Sequence, residues 1–364
     1  MDIDQSKVFR ALAQVKDPQT GQDLITANRV RDLQIEDGAV NFTLELPATS
    51  GDNKQQLTFA CMGAVQAIYP DIEVNVHFVS NTAQSQQPTS ILPQVKNIIA
   101  VASGKGGVGK STISTNLALG LKELGAKVGL LDADLYGPSL PTMFGLQGKR
   151  PKVQDMYGKP KIIPLEAHGI PVMSIGFIIE PEQAVVLRGP RLGGLIKQFL
   201  GDTIWPELDF LIIDLPPGTG DIQLTLVQTV PVTGAVLVTT PQEVAIADAI
   251  KAMNMFLLPS VKVPILGVVE NMSWFTPTEL PDNKYHIFGQ GGGKKLAKLS
   301  ESMLLGQVPL IQSVREAGDA GSPIILGEEN LARNYFLKVA QNVARQTAIR
   351  NELLDPTQIV KMQN

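Results

Sequence analysis

A glycine-rich segment at residues 103–112 constrains the fold and function of this chain most. Its sequence, SGKGGVGKST, follows the apolar run 98–102 and matches the phosphate-loop pattern GxxxxGK(S/T). Glycines in such a loop let backbone N–H groups surround a phosphate, and the following helix adds its positive end. Lys110 would neutralise phosphate charge, and the Ser111 hydroxyl would ligate Mg²⁺. The predicted MgATP-binding residues are Ser103, Gly104, Lys105, Gly106, Gly107, Val108, Gly109, Lys110, Ser111 and Thr112.

The same glycines also satisfy the GxGxxG pattern of dinucleotide-binding folds. In that interpretation Asp132 would be the acid that binds the ribose. Lys110 and Ser111 argue against it, because a dehydrogenase needs neither a phosphate cation nor a magnesium ligand there. Lys105 adds a further cation inside the loop. We therefore favour a nucleoside triphosphate as the ligand.

Apolar runs that alternate with helical stretches predict an α/β fold downstream of residue 96. Five short runs are rich in β-branched residues, at 98–102, 128–131, 210–213, 235–239 and 265–269. Such runs are typical of parallel strands covered on both faces. Helical spacing predicts crossovers at 112–124, 192–200 and 244–256 and a terminal helix at 330–354. The expected fold is a P-loop NTPase with a mostly parallel sheet covered by helices, preceded by a small α+β domain.

The pattern of apolar and polar residues in the first part of the chain differs from that in the rest. Helical spacing at 7–15 and 56–69 and alternation at 30–35, 39–46 and 73–79 predict a small α+β domain at residues 1–79. Residues 80–95 are polar, proline-bearing and aperiodic, as linkers are. The P-loop domain would then occupy residues 96–364.

Composition excludes several classes of function. Hydrophobic residues make up 44% and charged residues 18%, which is ordinary for a globular protein, and no run reaches the length of a membrane span. The net charge of −4, without a basic run, argues against nucleic acid as a partner. The terminal helix has no notably basic face, so we expect no membrane association. A start without a secretion signal and a single cysteine, Cys61, predict a cytoplasmic, reducing location.

Carboxylates follow two of the predicted strands. Asp214 closes the run 210–213 and would serve as the Walker B residue, while Asp132 and Asp134 follow the run 128–131. Because the ends of parallel strands meet at one edge, these groups would surround the phosphates. The predicted magnesium residues are Ser111, Asp132 and Asp214, and Asp134 would orient the attacking water. For each carboxylate the alternative is a structural cap or ion pair.

Three segments carry a resemblance to a known family: the loop with its extra Lys105, LDADLYGPS at 131–139, and DLPPGTGD at 214–221. They resemble the Mrp/Nbp35 (ApbC-like) group of deviant Walker A ATPases, a class that includes the nitrogenase iron protein and the cell-division ATPase MinD. The resemblance covers residues 97 to about 350. The segments DPQTG at 17–21 and FTLEL at 42–46 are similar to the MIP18 family.

The resemblance implies an ATP-hydrolysing iron–sulfur cluster carrier that transfers clusters to apoproteins. It implies a homodimer with ATP at the interface, where Lys105 reaches the nucleotide of the other subunit. It further implies that Asp134 positions the hydrolytic water, that Lys105 and Lys110 act with it in catalysis, and that Asn271 contacts adenine.

The sequence departs from that family at the cluster site. Members carry Cys-x-x-Cys shortly after Glu-Asn-Met-Ser, and two subunits then supply the four thiolates of a bridging cluster. Here ENMSWF at 270–275 continues into TPTE, and both cysteines are absent. His286 and Glu279 lie in this segment, where a surface-loop role is the alternative to ligation.

Cys61 is the remaining candidate iron–sulfur ligand. Placed before a helix, it would have its pKa lowered by the helix N-terminus, which makes a thiol a better ligand. The alternative is a small buried hydrophobe. Two further functions stay open: a MinD/ParA-like positioning ATPase, and a regulatory ATPase of the same fold that carries no cluster.

Overall fold

The chain divides into two compact units, Met1–Gln87 and Pro88–Asn364. The computed structural model describes residues 4–16, 23–25, 29–36, 39–47, 54–70, 72–81, 91–134, 137–156, 159–178, 189–277, 279–328, 331–357 and 359.

The first unit is a three-stranded sheet with two helices. Its elements are α1 (Gln5–Leu12), β1 (Val30–Glu36), β2 (Ala39–Pro47), α2 (Lys54–Gln66) and β3 (Glu73–Asn81). The sheet order is β1-β2-β3, antiparallel for the first pair and parallel for the second. A parallel pair needs a crossover, and α2 provides it. Alternate residues Val40, Phe42 and Leu44 of β2 are buried against Leu12 and Leu57 in the core of the unit.

The second unit is built on an eight-stranded sheet. Its strands are β4 (Val95–Ala102), β5 (Val128–Asp132), β8 (Leu165–Ala167), β9 (Ile170–Ser174), β10 (Leu208–Asp214), β11 (Gly234–Thr239), β12 (Ile265–Phe275) and β13 (Met303–Leu310). The order is β13-β12-β11-β4-β10-β5-β9-β8, and every pair is parallel except β8 with β9. A separate antiparallel hairpin pairs β6 (Lys152–Met156) with β7 (Lys159–Ile163).

Helices cover this sheet. They are α3 (Lys110–Glu123), α4 (Leu140–Met143), α5 (Gly189–Asp202), α6 (Asp221–Val227), α7 (Glu243–Leu257), α8 (Gly292–Leu299), α9 (Gln312–Asp319) and α10 (Leu331–Leu353). Every residue of β5 and β11 is buried, as expected for strands covered on both faces. The predicted α/β class with a mostly parallel sheet and a small α+β unit before it is therefore confirmed.

Some strands are longer than predicted, because backbone hydrogen bonding continues beyond the apolar residues from which the strands were predicted. Strand β3 continues to Asn81 and β4 begins at Val95, so these two strands take residues from both ends of the predicted linker. Residues 82–90 of the predicted linker, and residues 37–38 between β1 and β2, lie outside the described residues. Strand β12 runs six residues beyond its predicted end at 269, to Phe275.

The long helix α10 packs on the second unit rather than standing apart. Phe336, Val339 and Val343 are buried on its inner face, against α3 and β13. The apolar side of the predicted terminal helix is therefore in contact with the rest of the unit. Among the described helices, none has both the length and the apolar character needed to cross a bilayer.

Candidate nucleotide-binding site

Strand order brings the predicted site together. Strand β10 lies between β4 and β5, and Asp214 at its end is in register with Asp132 of β5 and Val101 of β4. The phosphate loop leaves the end of β4, so its residues and both strand-end carboxylates meet at one edge of the sheet. Parallel α/β sheets place their ligands at this edge.

The phosphate loop requires glycine at two places for different reasons. Gly109, which precedes α3, has φ +81°, a left-handed conformation that side chains other than glycine rarely adopt. Gly104 has no room for a side chain, because a Cβ there would overlap the backbone of Asp248 and Ala249 in α7. The loop is therefore shaped by its own backbone and by the helix packed against it.

Lys110 lies at the centre of a buried polar cluster. Its Nζ is 2.8 Å from Asp214 Oδ1 and 3.7 Å from Asp134 Oδ2. Ser111 Oγ donates to Asp214 Oδ2 at 2.6 Å, and Ser114 Oγ lies 2.6 Å from Asp214 Oδ1. The lysine charge is thus balanced by two carboxylates, one of which is held by two hydroxyls.

The oxygen donors here fit Mg²⁺. Ser111 Oγ and the Asp214 carboxylate adjoin the phosphate loop, and Mg²⁺ prefers one or two such hard oxygens together with phosphate and water. The two residues are the ones that would hold the ion beside a triphosphate.

Asp132 is different, and the structure does not support it as a direct magnesium ligand. Its buried carboxylate accepts hydrogen bonds from Asp134 N, Leu140 N and Ser174 Oγ. Neither Asp132 nor Asp214 lines the cavity at the phosphate loop, but Asp214 contacts Lys110 and Ser111, whereas the groups that donate to Asp132 lie outside the loop. Burial, and to a smaller extent the nearby Asp214 charge, raise the pKa of Asp132 to about 7. The carboxylate is turned into the protein instead of toward a ligand.

Two adjoining cavities describe the shape of the site. The smaller, about 250 Å³, is lined by Lys110, Ser111, Asp134, Pro217 and most of the loop. The larger, about 710 Å³, shares Gly109, Thr112, Gly137, Ser139 and Met143 with it. Its remaining lining is largely apolar and includes Met272, Val308, Pro309, Leu310, Ile311 and Val314, with Arg315 and Asp319 among the polar residues. A phosphate-sized cavity thus continues into one of the size and lining of a nucleoside pocket.

Asn271 links the larger cavity to the phosphate loop. It lies in β12, lines the larger cavity, and donates from Nδ2 to the Val108 carbonyl oxygen at 2.8 Å. That Asn271 contacts adenine stays a prediction, and the structure adds a contact to the phosphate loop that the sequence did not indicate. Lys105 is exposed and lines the smaller cavity.

Sequence reasoning missed Met143, Pro309 and Arg315 as cavity residues. The only signal for Pro309 was its position at the end of the apolar strand β13. The glycine turn at 289–293 begins helix α8, and Glu270 caps that helix by accepting from Gly293 N at 2.5 Å.

The expectation that Cys61 precedes a helix is wrong. It lies inside α2, fully buried in the core of the first unit. Desolvation raises the pKa of its thiol to about 12, the opposite of the expected shift. His286 is exposed, and its Nδ1 lies 3.1 Å from the Ser273 carbonyl oxygen. Within the described residues no three His, Cys, Asp or Glu side chains are grouped to hold a metal.

Fold and site together define a P-loop nucleoside triphosphatase of the deviant type, with a second lysine inside its loop. Residues 94–344 match the family described as NUBPL iron-transfer P-loop NTPase, and residues 5–78 match the family described as iron-sulfur cluster assembly protein. The chain therefore belongs to the iron-transfer P-loop NTPase family, and its predicted resemblance is confirmed.

Several proteins are similar to the chain over most of its length. The "Iron-sulfur cluster carrier protein" of Synechocystis is 45% identical over 93% of this chain and 96% of its own. The protein of that name from Deinococcus radiodurans is 43% identical over 94% and 95%. The nucleotide-binding protein of Archaeoglobus fulgidus, solved in complex with ADP, is 37% identical, with a TM-score of 0.58 over 69% of this chain and 96% of that one. The MinD ATPase of Pyrococcus furiosus, 23% identical with a TM-score of 0.51 over 69% and 99%, shares the fold.

Proposed function

We propose that this protein is a homodimeric, Mg²⁺-dependent ATPase that drives the transfer of iron–sulfur clusters to apoproteins in the cytoplasm. One observation carries the ATPase half: Lys110, Ser111 and Asp134 line a single cavity at the phosphate loop, and the buried Asp214 contacts both Lys110 and Ser111. Relatives named as iron–sulfur cluster carriers support the second half.

Each of these four residues would have a separate role in phosphoryl transfer. Lys110 would stabilise charge that develops on the transferred phosphoryl group, and Asp134 would orient the attacking water. Ser111 and Asp214 would hold Mg²⁺, which supplies further charge neutralisation when bound. A triphosphate that enters the loop must compete with Asp214 for Lys110, so its binding would rearrange the polar cluster.

Lys105 supports the proposed dimer. Its side chain is exposed and lines the smaller cavity, whereas Lys110 is buried and paired with Asp214. An exposed lysine in this place would be able to contact a nucleotide bound by a second copy of the chain. Lys105 would then link hydrolysis to the relative position of two subunits, as the family resemblance implies. The larger cavity, which Asn271 lines, would hold the adenosine.

The cluster is the cargo, and the chain offers few groups to hold it. An iron–sulfur cluster needs about four thiolates, yet a homodimer supplies two Cys61 thiols, both buried and with a raised pKa. Most of the ligands would therefore come from the donor, the acceptor or a small thiol. The same observation favours a second candidate function, an ATPase of this family that regulates assembly without carrying a cluster.

An anaerobic transfer assay tests the proposal. The protein is incubated with ferrous iron, sulfide and glutathione, and then with an apoenzyme whose activity requires a [4Fe–4S] cluster. We expect MgATP to accelerate activation of the apoenzyme by wild type and not by Lys110→Ala. Lys298→Ala, a change at an exposed lysine of α8, serves as the matched control. ATP hydrolysis without any acceleration of transfer would favour the regulatory function instead.

A further inference from the structure

The loop that carries Asp134 is held at both ends by one buried side chain. Asp132 Oδ1 accepts from Asp134 N at 3.0 Å, and Asp132 Oδ2 accepts from Leu140 N at 3.3 Å. Between these two anchors lie Gly137 and Ser139, which line both cavities of the site. One buried carboxylate therefore binds both ends of a loop that contributes residues to the nucleotide site.

A third donor ties this loop to the neighbouring strand. Ser174, the last residue of β9, donates from Oγ to Asp132 Oδ2 at 3.0 Å and accepts from Gly176 N at 3.1 Å. Because Ser174 accepts from a backbone N–H, its own proton is directed to Asp132. All three groups around this carboxylate are thus donors.

Because donors lie at both Oδ1 and Oδ2, both terminal atoms of the side chain at position 132 must be hydrogen-bond acceptors. A carboxylate offers two acceptor oxygens, whereas an amide would turn an N–H group toward one of the donors. If the amide nitrogen replaced Oδ1 it would face Asp134 N–H, and if it replaced Oδ2 it would face Leu140 N–H. One end of the loop would lose its anchor in either orientation.

We propose that Asp132 is a positioning residue, which fixes residues 133–134 and 137–140 and thereby the place of Asp134 in the site, and that it does not ligate Mg²⁺. Only the kinetic effect of Asp132 rests on the proposed hydrolytic role of Asp134. The position of the loop can be measured in the protein without ATP.

The first test is therefore hydrogen exchange without nucleotide, on wild type and Asp132→Asn. We expect the segment 133–140 to exchange at least about tenfold faster in Asp132→Asn, since two of its anchors are coupled to that side chain. Asp202→Asn, at a partly exposed carboxylate that pairs with Lys161 instead of with this segment, should leave the exchange of the segment unchanged. Unchanged exchange in Asp132→Asn, or equal acceleration throughout the unit, would overturn the proposal.

The second test is a double-mutant cycle on steady-state ATP hydrolysis. If Asp132 acts through Asp134, Asp132→Asn lowers kcat about tenfold with little change in KM, and adds nothing in an Asp134→Asn background. Ser174→Ala, which removes one donor only, should give a smaller loss with the same lack of additivity. If Asp132→Asn fails to fold, Ser174→Ala is used in its place for both tests.

The Mg²⁺ dependence separates positioning from ligation. A lost ligand would raise the Mg²⁺ concentration needed for half-maximal turnover by about tenfold or more, and would overturn the proposal. Fast exchange in Asp132→Asn combined with normal turnover by Asp134→Asn would refute the hydrolytic role of Asp134 while leaving the positioning role of Asp132 intact.

Discussion

Lys110 Nζ and Asp214 Oδ1 lie 2.8 Å apart at the junction of the phosphate loop and the end of β10. Both side chains are buried, and Asp214 is further bound by Ser111 and Ser114. Burying a charge is costly unless it is paired, so each of these side chains stabilises the other inside the protein. The same pair that stabilises the loop is the one that a triphosphate would separate.

Replacement of Lys110 tests the loop directly. Lys110→Ala should weaken ATP binding by about 10- to 100-fold, because it removes a charged hydrogen-bond donor worth about 1.5–3 kcal/mol. Titration with a fluorescent ATP analogue measures the loss. The variant also leaves Asp214 and Asp134 without their shared cation, so its folding must be checked by circular dichroism. Binding at wild-type affinity would contradict the assignment of this lysine.

Replacement of Asp134 should separate binding from turnover. Asp134→Asn keeps the size of the side chain and removes the charge that would orient water. We expect ATP affinity to stay within about threefold while kcat falls by about 10² or more. Equilibrium binding and phosphate release, measured on the same preparation, provide the comparison. Normal phosphate release by this variant would refute the role of Asp134.

Asp214 and Ser111 are expected to share one metal ion. Ser111→Ala and Asp214→Asn should each raise the Mg²⁺ concentration required for half-maximal hydrolysis, by about tenfold for the carboxylate. Asp214→Asn should also lower the melting temperature, since Lys110 loses its closest buried partner. Ser111→Ala should leave the melting temperature near that of wild type, which makes it the control for the metal effect.

Two glycines of the loop give a matched pair for stability. Gly104→Ala would drive a methyl group into the backbone of α7, whereas a Cβ at Gly106 meets nothing closer than Pro217 Cγ at 3.9 Å. Backbone cannot move aside as a flexible side chain can, so we expect Gly104→Ala to lower the melting temperature by several degrees. Gly106→Ala should melt close to wild type. Equal melting of the two variants would show that α7 yields to the added group.

Much of the fold was predictable because its strands are buried on both faces. The continuous apolar runs before Asp132 and Asp214 are visible without a structure, and each ends at the edge where the loop also lies. The exposed hairpin of β6 and β7 lacked such a signal, because every described residue of β6 is exposed. Exposed strands show no buried face from which to infer their pairing.

The site was predictable to the level of residue type but not of side-chain direction. Asp132 and Asp134 are two residues apart at a strand end, and either one could face a ligand on sequence alone. The structure turns Asp132 inward to backbone donors and leaves Asp134 in the cavity wall. Sequence spacing cannot distinguish these outcomes, since they depend on where Leu140 and Ser174 lie in three dimensions.

The thiol of Cys61 allows a test that needs no substitution. In the native protein its pKa is raised to about 12 by burial, from an ordinary value of about 9. Its reaction with a disulfide reagent should be slow at pH 7 and should stay slow at pH 9, where a solvent-exposed thiol would react many times faster. Addition of denaturant should restore ordinary reactivity. Fast reaction of the folded protein at pH 7 would show that the thiol is accessible, and would reopen Cys61 as a cluster ligand.

The same shift predicts how the stability of the first unit depends on alkaline pH. Because the folded state holds the Cys61 proton more tightly than the unfolded state, the thiol's contribution is complete below pH 9 and is lost as pH rises from 9 toward 12. Cys61→Ala removes that titration, so urea unfolding of the variant should depend less steeply on pH between 9 and 11 than that of wild type. Since other groups titrate in both proteins, the difference between the two slopes isolates the thiol. Parallel slopes would mean that Cys61 is ionised as readily in the folded protein as in the unfolded one, and would contradict its burial inside α2.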